Sequence, residues 1–172
     1  MHIRTLSLVM AACALLCAMS SYAEEGDGAV EKSTLDASAR RDLQLWFNDY
    51  AALWVEAKLS DVPAIVASFV LPLHIVEDSG GRHIRSKTEL TTHYTELLQD
   101  SAKYDYSGDV LLISDIQLLS ANSARIEADW MGLDLDRNPK GCFGRSYSLI
   151  LSDGEWKISG FSSRDCRPSS ER

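Results

Sequence analysis

The stretch WVEAKLSDVPAIVASFV, residues 54–70, decides how the rest of the chain is interpreted. It predicts the end of one helix, a short second helix and the start of a strand. Ser60 and Asp61 are residue types that commonly precede a helix. Pro63 falls in the first turn of the second helix, where its missing N–H costs little. The run that follows, residues 69–78, is apolar and β-rich, so the stretch predicts the order helix, helix, strand.

Before this stretch, large apolar side chains recur at three- and four-residue steps, which is typical of an amphipathic helix. They are Leu43, Trp46, Phe47, Tyr50, Leu53, Trp54 and Ala57. Residues 24–39 are polar, acidic and low in large apolar side chains, so they are predicted to form a flexible leader. The globular domain is predicted over residues 40–166, followed by a C-terminal tail, residues 167–172.

After the first strand, the sequence predicts a second strand, a third helix and four further strands. Residues 86–89 read Ser-Lys-Thr-Glu, a capping box that opens the third helix. The residues Ile126, Ala128 and Trp130 occupy alternate positions, as in a strand with one buried face. The positions between them are Glu127, Asp129 and Met131. Helices combined with a run of antiparallel strands indicate the α+β class. Helices on one face of a strongly curved sheet would leave a concave pocket between the two layers.

The N-terminus, residues 1–23, has the order of a secretory signal peptide. Arg4 supplies the positive charge, an uncharged apolar run follows over residues 6–19, and Ser21 and Ala23 are the small residues of a cleavage site. The apolar run is too short to cross a bilayer, which takes about 20 residues. We therefore expect an exported protein, periplasmic or secreted, with cleavage after Ala23.

The charge of the chain limits its partners. The formal net charge of the 172 residues is −8, and the predicted signal peptide contributes no acidic residue. Such a chain repels phosphate backbones and anionic lipid surfaces. We therefore expect no nucleic-acid binding and no membrane binding after the signal peptide is removed.

Two of the four cysteines lie in the predicted signal peptide, which leaves Cys142 and Cys166. An oxidising compartment favours their pairing, so a disulfide is predicted. An ideal hairpin ladder would set Cys142 opposite Asp165, one residue from the partner it needs. A bulge or a frayed strand end is therefore expected near Gly141 or Gly144.

The element order and three local motifs resemble the nuclear transport factor 2-like (SnoaL-like) superfamily of cone-shaped α+β barrels. The motifs are the stretch over residues 54–70, HIVED over residues 74–78 and DGEWKISGF over residues 153–161. The resemblance covers about residues 42–164 and implies three N-terminal helices packed on a strongly curved, mostly antiparallel sheet. The superfamily includes isomerases, cyclases, dehydratases and transport or assembly modules, so this fold does not decide function.

HIVED is similar to the motif TVED of the ketosteroid-isomerase-like enzymes, in which a strand aspartate is the general base. The resemblance implies that Asp78 occupies the position of that base and that His74 shares its face toward the pocket. Trp54 and Tyr147 then stand where those enzymes carry the two hydrogen-bond donors of their oxyanion hole, a tyrosine and an aspartic acid. From the residues alone, Asp78 also suits a turn before the two glycines that follow, and the face of Leu73 and Ile75 is the more apolar one.

Aromatic side chains are the candidate ligand-binding residues. Those expected in the pocket wall are Tyr50, Trp54, Trp130 and Tyr147, with Trp46, Tyr94 and Phe143 as further members. The same stripes also suit an ordinary core. The remaining histidines, His83 and His93, form no metal-binding spacing with His74, and no glycine-rich phosphate loop is present. Neither a metal nor a cofactor is therefore expected.

Three functions are compatible with these residues. The first is an exported domain that binds a small, partly apolar molecule in the cone. The second is an acid/base enzyme, isomerase-like or dehydratase-like, with Asp78 as general base and His74 as its helper. The third is a structural or homodimerising module without a ligand. The first requires a cavity, the second a cavity with a buried carboxyl of raised pKa, and the third an exposed apolar sheet face.

Overall fold

A computed structural model describes residues 25–77 and 79–167 of the chain. The predicted signal peptide, Asp78 and most of the predicted C-terminal tail lie outside the described residues. The chain divides into two units between Ser38 and Ala39, and the sheet, the core and the cavity described below belong to the second.

Within the described residues, three helices and six strands form an α+β fold, as predicted. The helices are α1 (Glu25–Ala52), α2 (Val62–Ala67) and α3 (Lys87–Gln99). The strands are β1 (Phe69–Glu77), β2 (Gly80–Ile84), β3 (Gly108–Ser120), β4 (Ser123–Leu133), β5 (Pro139–Ser152) and β6 (Glu155–Arg164). Of these three α-helices, α1 and α2 precede the sheet. The helix α3 lies between β2 and β3, because the capping Ser86 starts a helix directly after the β1–β2 hairpin.

The six strands form one sheet in the order β2-β1-β6-β5-β4-β3. The pair of β1 and β6 is parallel and the other pairs are antiparallel, so the sheet is mostly antiparallel, as expected. Register shifts interrupt four of the five pairings. Each shift increases local bending and twist, which curves the sheet around the helices.

The helix α1 carries the apolar stripe that the sequence predicts. Leu43, Phe47 and Tyr50 are buried, and the Phe47 ring contacts both Trp130 and Tyr147 on the sheet. These contacts join α1 to the inner face of the sheet and form the centre of the core. No helix of the described residues is long and apolar enough to cross a membrane.

The ends of α1 differ from the prediction. The sequence predicts a leader over residues 24–39, whereas helical backbone begins at Glu25. Glutamate, alanine and lysine in that segment favour helix, although few large apolar side chains are present. The apolar stripe predicts helix as far as Ala57, but α1 ends at Ala52. The chain then turns at Trp54, whose N–H donates to the Ala51 carbonyl at 3.1 Å.

One extra residue in β6 shifts the pairing between β5 and β6. Leu149 pairs with Ile158, but the neighbouring Ser148 pairs with Gly160, so Ser159 has no opposite residue. The Ser159 hydroxyl donates instead to the Ser148 carbonyl at 3.1 Å. This bulge moves the rest of β6 by one position along β5.

A disulfide joins Cys142 and Cys166, with a Cα–Cα distance of 5.7 Å, and so the predicted bond is confirmed. Counted from the bulge along the ladder, Cys142 comes opposite Cys166. The expected location of the irregularity, near Gly141 or Gly144, is wrong, because it lies at Ser159. A one-residue shift anywhere between the hairpin turn and the cysteines has the same effect on their alignment.

On the outer face of the sheet, Asp129 is completely buried beneath two arginines. Its carboxylate accepts hydrogen bonds from Arg164 Nη2 at 2.5 Å and from Arg167 Nε at 2.7 Å. Burial alone would raise the pKa of Asp129, but the two charged donors hold it below its ordinary value. The ion pairs therefore fix the chain around the end of β6 to the middle of β4.

Candidate functional site

A cavity of about 350 Å³ opens among the end of α1, the helix α3 and the first residues of β3 and β5. Its wall combines four aromatic side chains and one leucine with four polar or charged side chains. The lining residues are Trp54, Leu97, Ser101, Tyr104, Tyr106, Asp109, Lys140, Phe143 and Arg145.

A close approach between two backbone segments places one side of this cavity. The Asp109 N–H donates to the Trp54 carbonyl at 2.8 Å, which ties the start of β3 to the turn after α1. Gly108 permits this contact, because a Cβ on it would stand 2.4 Å from the Val55 carbonyl oxygen. Its φ of 150° also lies where side chains are disfavoured. Asp109 is therefore held beside Trp54 by main-chain contacts.

Asp109 is a buried carboxyl in the cavity wall, and only 7% of it is exposed. Its Oδ1 atom has no hydrogen-bond partner among the residues that the structure describes. Burial raises the pKa of Asp109 to about 6, while the neighbouring Tyr106 hydroxyl and the charge of Arg145 act in the opposite direction. A carboxyl with this pKa can accept or donate a proton close to neutral pH.

Arg145 adds a guanidinium to the same wall. Its Cζ atom lies 5.3 Å from the centre of the Phe143 ring and 5.0 Å from the centre of the Phe161 ring, within the range of cation–π attraction. Burial opposes its charge, but the tyrosines around it and Asp109 keep the pKa of Arg145 above its ordinary value. The cavity therefore contains a permanent positive charge.

The structure separates the predicted aromatic residues into two groups. Trp54 and Phe143 line the cavity. Tyr50, Trp130 and Tyr147 are buried in the core and are not among its lining residues. The Tyr50 ring nevertheless contacts the Trp54 ring, at 6.2 Å between centres, and its hydroxyl has no hydrogen-bond partner within the described part of the chain. Tyr94, whose ring also contacts Trp54, has the same unpartnered hydroxyl.

The first strand presents the other face to the core. Leu73 and Ile75 are buried, whereas His74 and Val76 are exposed. This placement corrects the expectation that His74 faces the cone, and its physical reason is the apolar character of Leu73 and Ile75. The His74 ring lies instead against the His83 ring, at 4.3 Å between centres. Asp78 lies outside the described residues.

Sequence reasoning missed most of the lining residues, among them the two that carry opposite charges, Asp109 and Arg145. Arg145 stands two residues before Tyr147 on a strand, so the alternation that predicts an inward Tyr147 also predicts an inward Arg145. Asp109 gave a weaker signal, because an aspartate after a glycine at the start of a strand is typical of a turn. Over residues 36–77 and 79–167, no group of three or more His, Cys, Asp or Glu side chains could hold a metal ion.

A family model described as "NTF2-like protein (DUF6841)" matches residues 41–166. The chain belongs to this NTF2-like family. Membership confirms the superfamily that the sequence resembles and accounts for the helix and strand order described above. No curated protein matches the chain.

Solved structures of NTF2-like proteins have the same fold. An NTF2-like protein of unknown function from Shewanella oneidensis is 16% identical, with 73% of this chain and 98% of that chain covered and a TM-score of 0.58. A cystatin-like-fold protein from Nostoc punctiforme is 17% identical, with coverages of 73% and 92% and a TM-score of 0.56. An NTF2-like superfamily protein from Salmonella enterica is 14% identical, with coverages of 78% and 95% and a TM-score of 0.56. At these identities the similarity extends to the fold alone.

Proposed function

We propose that this domain binds a small, partly apolar molecule in the cavity beside Trp54. The observation that carries the proposal is the Asp109 Oδ1 atom, which is buried in an aromatic wall without a hydrogen-bond partner in the described structure. An unsatisfied buried acceptor costs free energy that a bound ligand recovers. The cavity volume of about 350 Å³ also lies within the range of small-molecule sites.

Blocking the cavity tests this proposal. Leu97 lies on α3, lines the cavity and is 42% exposed, so Leu97→Trp can fill the space without disturbing the core. Leu119→Trp is the matched control, because Leu119 is exposed and is not a lining residue. Binding of indole, 2-naphthol and cinnamamide is followed by ligand-observed NMR. We expect Leu97→Trp to abolish binding and Leu119→Trp to preserve it. Equal binding to both variants, or none to the unaltered protein, contradicts the proposal.

The raised pKa of Asp109 supports a second function, an acid/base enzyme in which Asp109 accepts a proton from carbon next to a carbonyl. Exchange of the α-protons of 2-tetralone with D₂O, followed by proton NMR, tests it. The unaltered protein should accelerate exchange above the buffer rate, and Asp109→Asn should lose the acceleration because it keeps the shape but not the proton acceptor. Equal exchange rates for the two proteins reject the enzyme. The role of Asp78 as a base, inferred from the resemblance, also stays a proposal.

Export is part of the proposal. It is supported by the signal-peptide pattern of residues 1–23 and by the disulfide, a bond that persists in oxidising compartments. Intact-mass spectrometry of protein secreted by a bacterial host should give a chain that begins at Glu24. A chain that keeps Met1, or one with lipid on Cys13, contradicts this processing.

Homodimerisation stays a prediction. Val110 and Leu112 are exposed on the edge strand β3, which is where another chain could pair with the sheet. Sedimentation equilibrium of the processed protein and of a Leu112→Lys variant distinguishes a homodimer paired at β3 from a monomer. A dimer that this charge disrupts supports pairing at β3, and a monomer at all concentrations rejects the homodimer.

A further inference from the structure

Arg145 has a positive charge without an acidic partner. Among the described residues, no carboxylate oxygen lies within 4.0 Å of its guanidinium. The other arginines of β4 to β6 that contact carboxylates, such as Arg164, do so on the outer face. Removing a guanidinium from water without a counterion is costly, and the cost is recovered only when an anion is supplied. Arg145 inside the cavity thus lacks the close carboxylate partner that Arg164 has on the outer face.

Among the described residues, the other charged groups of the cavity form no close ion pair with Arg145. Lys140 is already engaged at the rim, where its Nζ atom donates to the Asp105 carbonyl at 2.9 Å and lies 3.6 Å from the Asp105 carboxylate. Asp109 interacts with Arg145 through space but forms no ion pair with it within the 4.0 Å limit. Below its pKa of about 6, the Asp109 carboxyl is neutral, so it does not offset the charge of Arg145 and can donate a hydrogen bond to an anion.

The guanidinium is also held in place before a ligand arrives. Phe143 and Phe161 both lie within cation–π distance of it, at 5.3 and 5.0 Å from their ring centres. Phe143 and Arg145 are two residues apart on β5, so their side chains share the inner face of the strand. An oriented guanidinium fork matches the two oxygens of a carboxylate.

We infer that the ligand of this cavity carries a carboxylate on an apolar body, and that Arg145 binds the carboxylate; this inference rests on the proposed function. A single arginine supplies one charge, which suits a monoanion better than a doubly charged phosphate. The apolar body is expected to lie against Trp54, Leu97 and Phe143, which form the hydrophobic part of the wall.

Three probes of nearly the same shape test the ligand class on the unaltered protein. They are cinnamate, which is anionic, cinnamamide, which is neutral, and cinnamylamine, which is cationic. Dissociation constants are measured by titration calorimetry or NMR line broadening at about pH 5, where Asp109 is mainly protonated and cinnamate is still mainly ionised. We expect cinnamate to bind at least about tenfold more tightly than cinnamamide, because a charge-assisted bidentate pair exceeds a neutral hydrogen bond. We expect cinnamylamine to bind most weakly.

Two variants assign the preference to one side chain. Arg145→Gln should reduce the cinnamate to cinnamamide ratio to about one, and Arg145→Lys should restore part of it because the charge remains without the fork. Arg125→Gln is the matched control, since Arg125 is exposed on another strand and is not a lining residue. Near-ultraviolet circular dichroism verifies that each variant is folded. If Arg145→Gln does not fold, the three probes on the unaltered protein decide the question.

The outcomes separate the two proposals. If cinnamamide or cinnamylamine binds as tightly as cinnamate, the carboxylate inference is overturned while ligand binding in the cavity stands. A preference for cinnamate that survives in folded Arg145→Gln overturns the assignment to Arg145. If none of the three probes binds, the proposed function fails and the inference fails with it.

Discussion

Replacing Asp109 by asparagine should change how the stability of the protein depends on pH. Asp109→Asn keeps the size and shape of the side chain and removes its ionisation. Asp109 is buried in the cavity wall, and burial raises its pKa from 3.8 to about 6. In the unfolded chain the same carboxyl has its ordinary pKa. The folded and unfolded states therefore bind this proton with different affinity, and asparagine abolishes the difference.

The direction of the effect follows from the two pKa values. Well below about pH 4 the carboxyl is protonated in both states, so its ionisation does not affect the unfolding free energy. As the pH rises toward about 6, the unfolded chain releases the proton first, which stabilises the unfolded state. Above that range both states are ionised and the cost is constant. The difference between 3.8 and about 6 corresponds to about 3 kcal/mol of unfolding free energy, so Asp109→Asn should gain up to that amount over the unaltered protein.

Urea unfolding followed by tryptophan fluorescence measures this difference at several pH values between about 4 and 8, the range set by the two titrations. The free-energy difference between Asp109→Asn and the unaltered protein should increase with pH and then level off. Asp115→Asn is the matched control, since Asp115 is exposed on the same strand and its removal changes the net charge equally. A difference that is constant over this range, or that decreases with pH, would refute the reasoning.

Three further predictions concern features that stabilise the fold. Gly108→Ala should destabilise the fold by about 3 kcal/mol in urea unfolding, because its Cβ would collide with main chain, whereas Gly141→Ala, with open space around the position, should be nearly neutral. Asp129→Asn should lower the unfolding free energy by about 3 kcal/mol at pH 7, because it leaves Arg164 and Arg167 without their buried partner. This loss should become smaller in acid, because a carboxyl with a lowered pKa in the folded state stabilises the fold only above its unfolded pKa. Reduction of the Cys142–Cys166 bond should lower unfolding free energy by about 3 kcal/mol, and an unchanged melting temperature in reductant would contradict this.

Most of the fold could be predicted because local periodicity reports burial directly. Leu43, Phe47 and Tyr50 recur at helical spacing and are all buried, and Ile126 and Trp130 follow the two-residue alternation of a strand with one inner face. In β1, the apolar alternation predicted the inward face correctly, whereas the family comparison did not. There the apolar alternation favours an inward Leu73 and Ile75, as the structure has them, whereas the comparison favours His74.

The charged part of the cavity could not be predicted in the same way. Asp109 becomes buried because Gly108 lets the start of β3 contact the turn that carries Trp54, and these segments are far apart in sequence. No local pattern encodes such a contact. The pKa of Asp109 depends on that burial, so the most reactive group of the wall follows from tertiary structure alone. Arg145 was accessible in principle, because it belongs to the alternation of β5.

The bulge at Ser159 gives the disulfide a second role, as a test of assembly. A one-residue shift between β5 and β6, which the bulge at Ser159 supplies, brings Cys166 opposite Cys142; in a regular ladder the two sulfurs would face opposite sides of the sheet. Disulfide formation therefore depends on correct alignment of β5 and β6, and the bond then stabilises that alignment. Because β6 is the last strand of the described residues, the disulfide forms only after the other described strands have been synthesised. A deletion of Ser159 should accordingly yield protein that keeps both thiols.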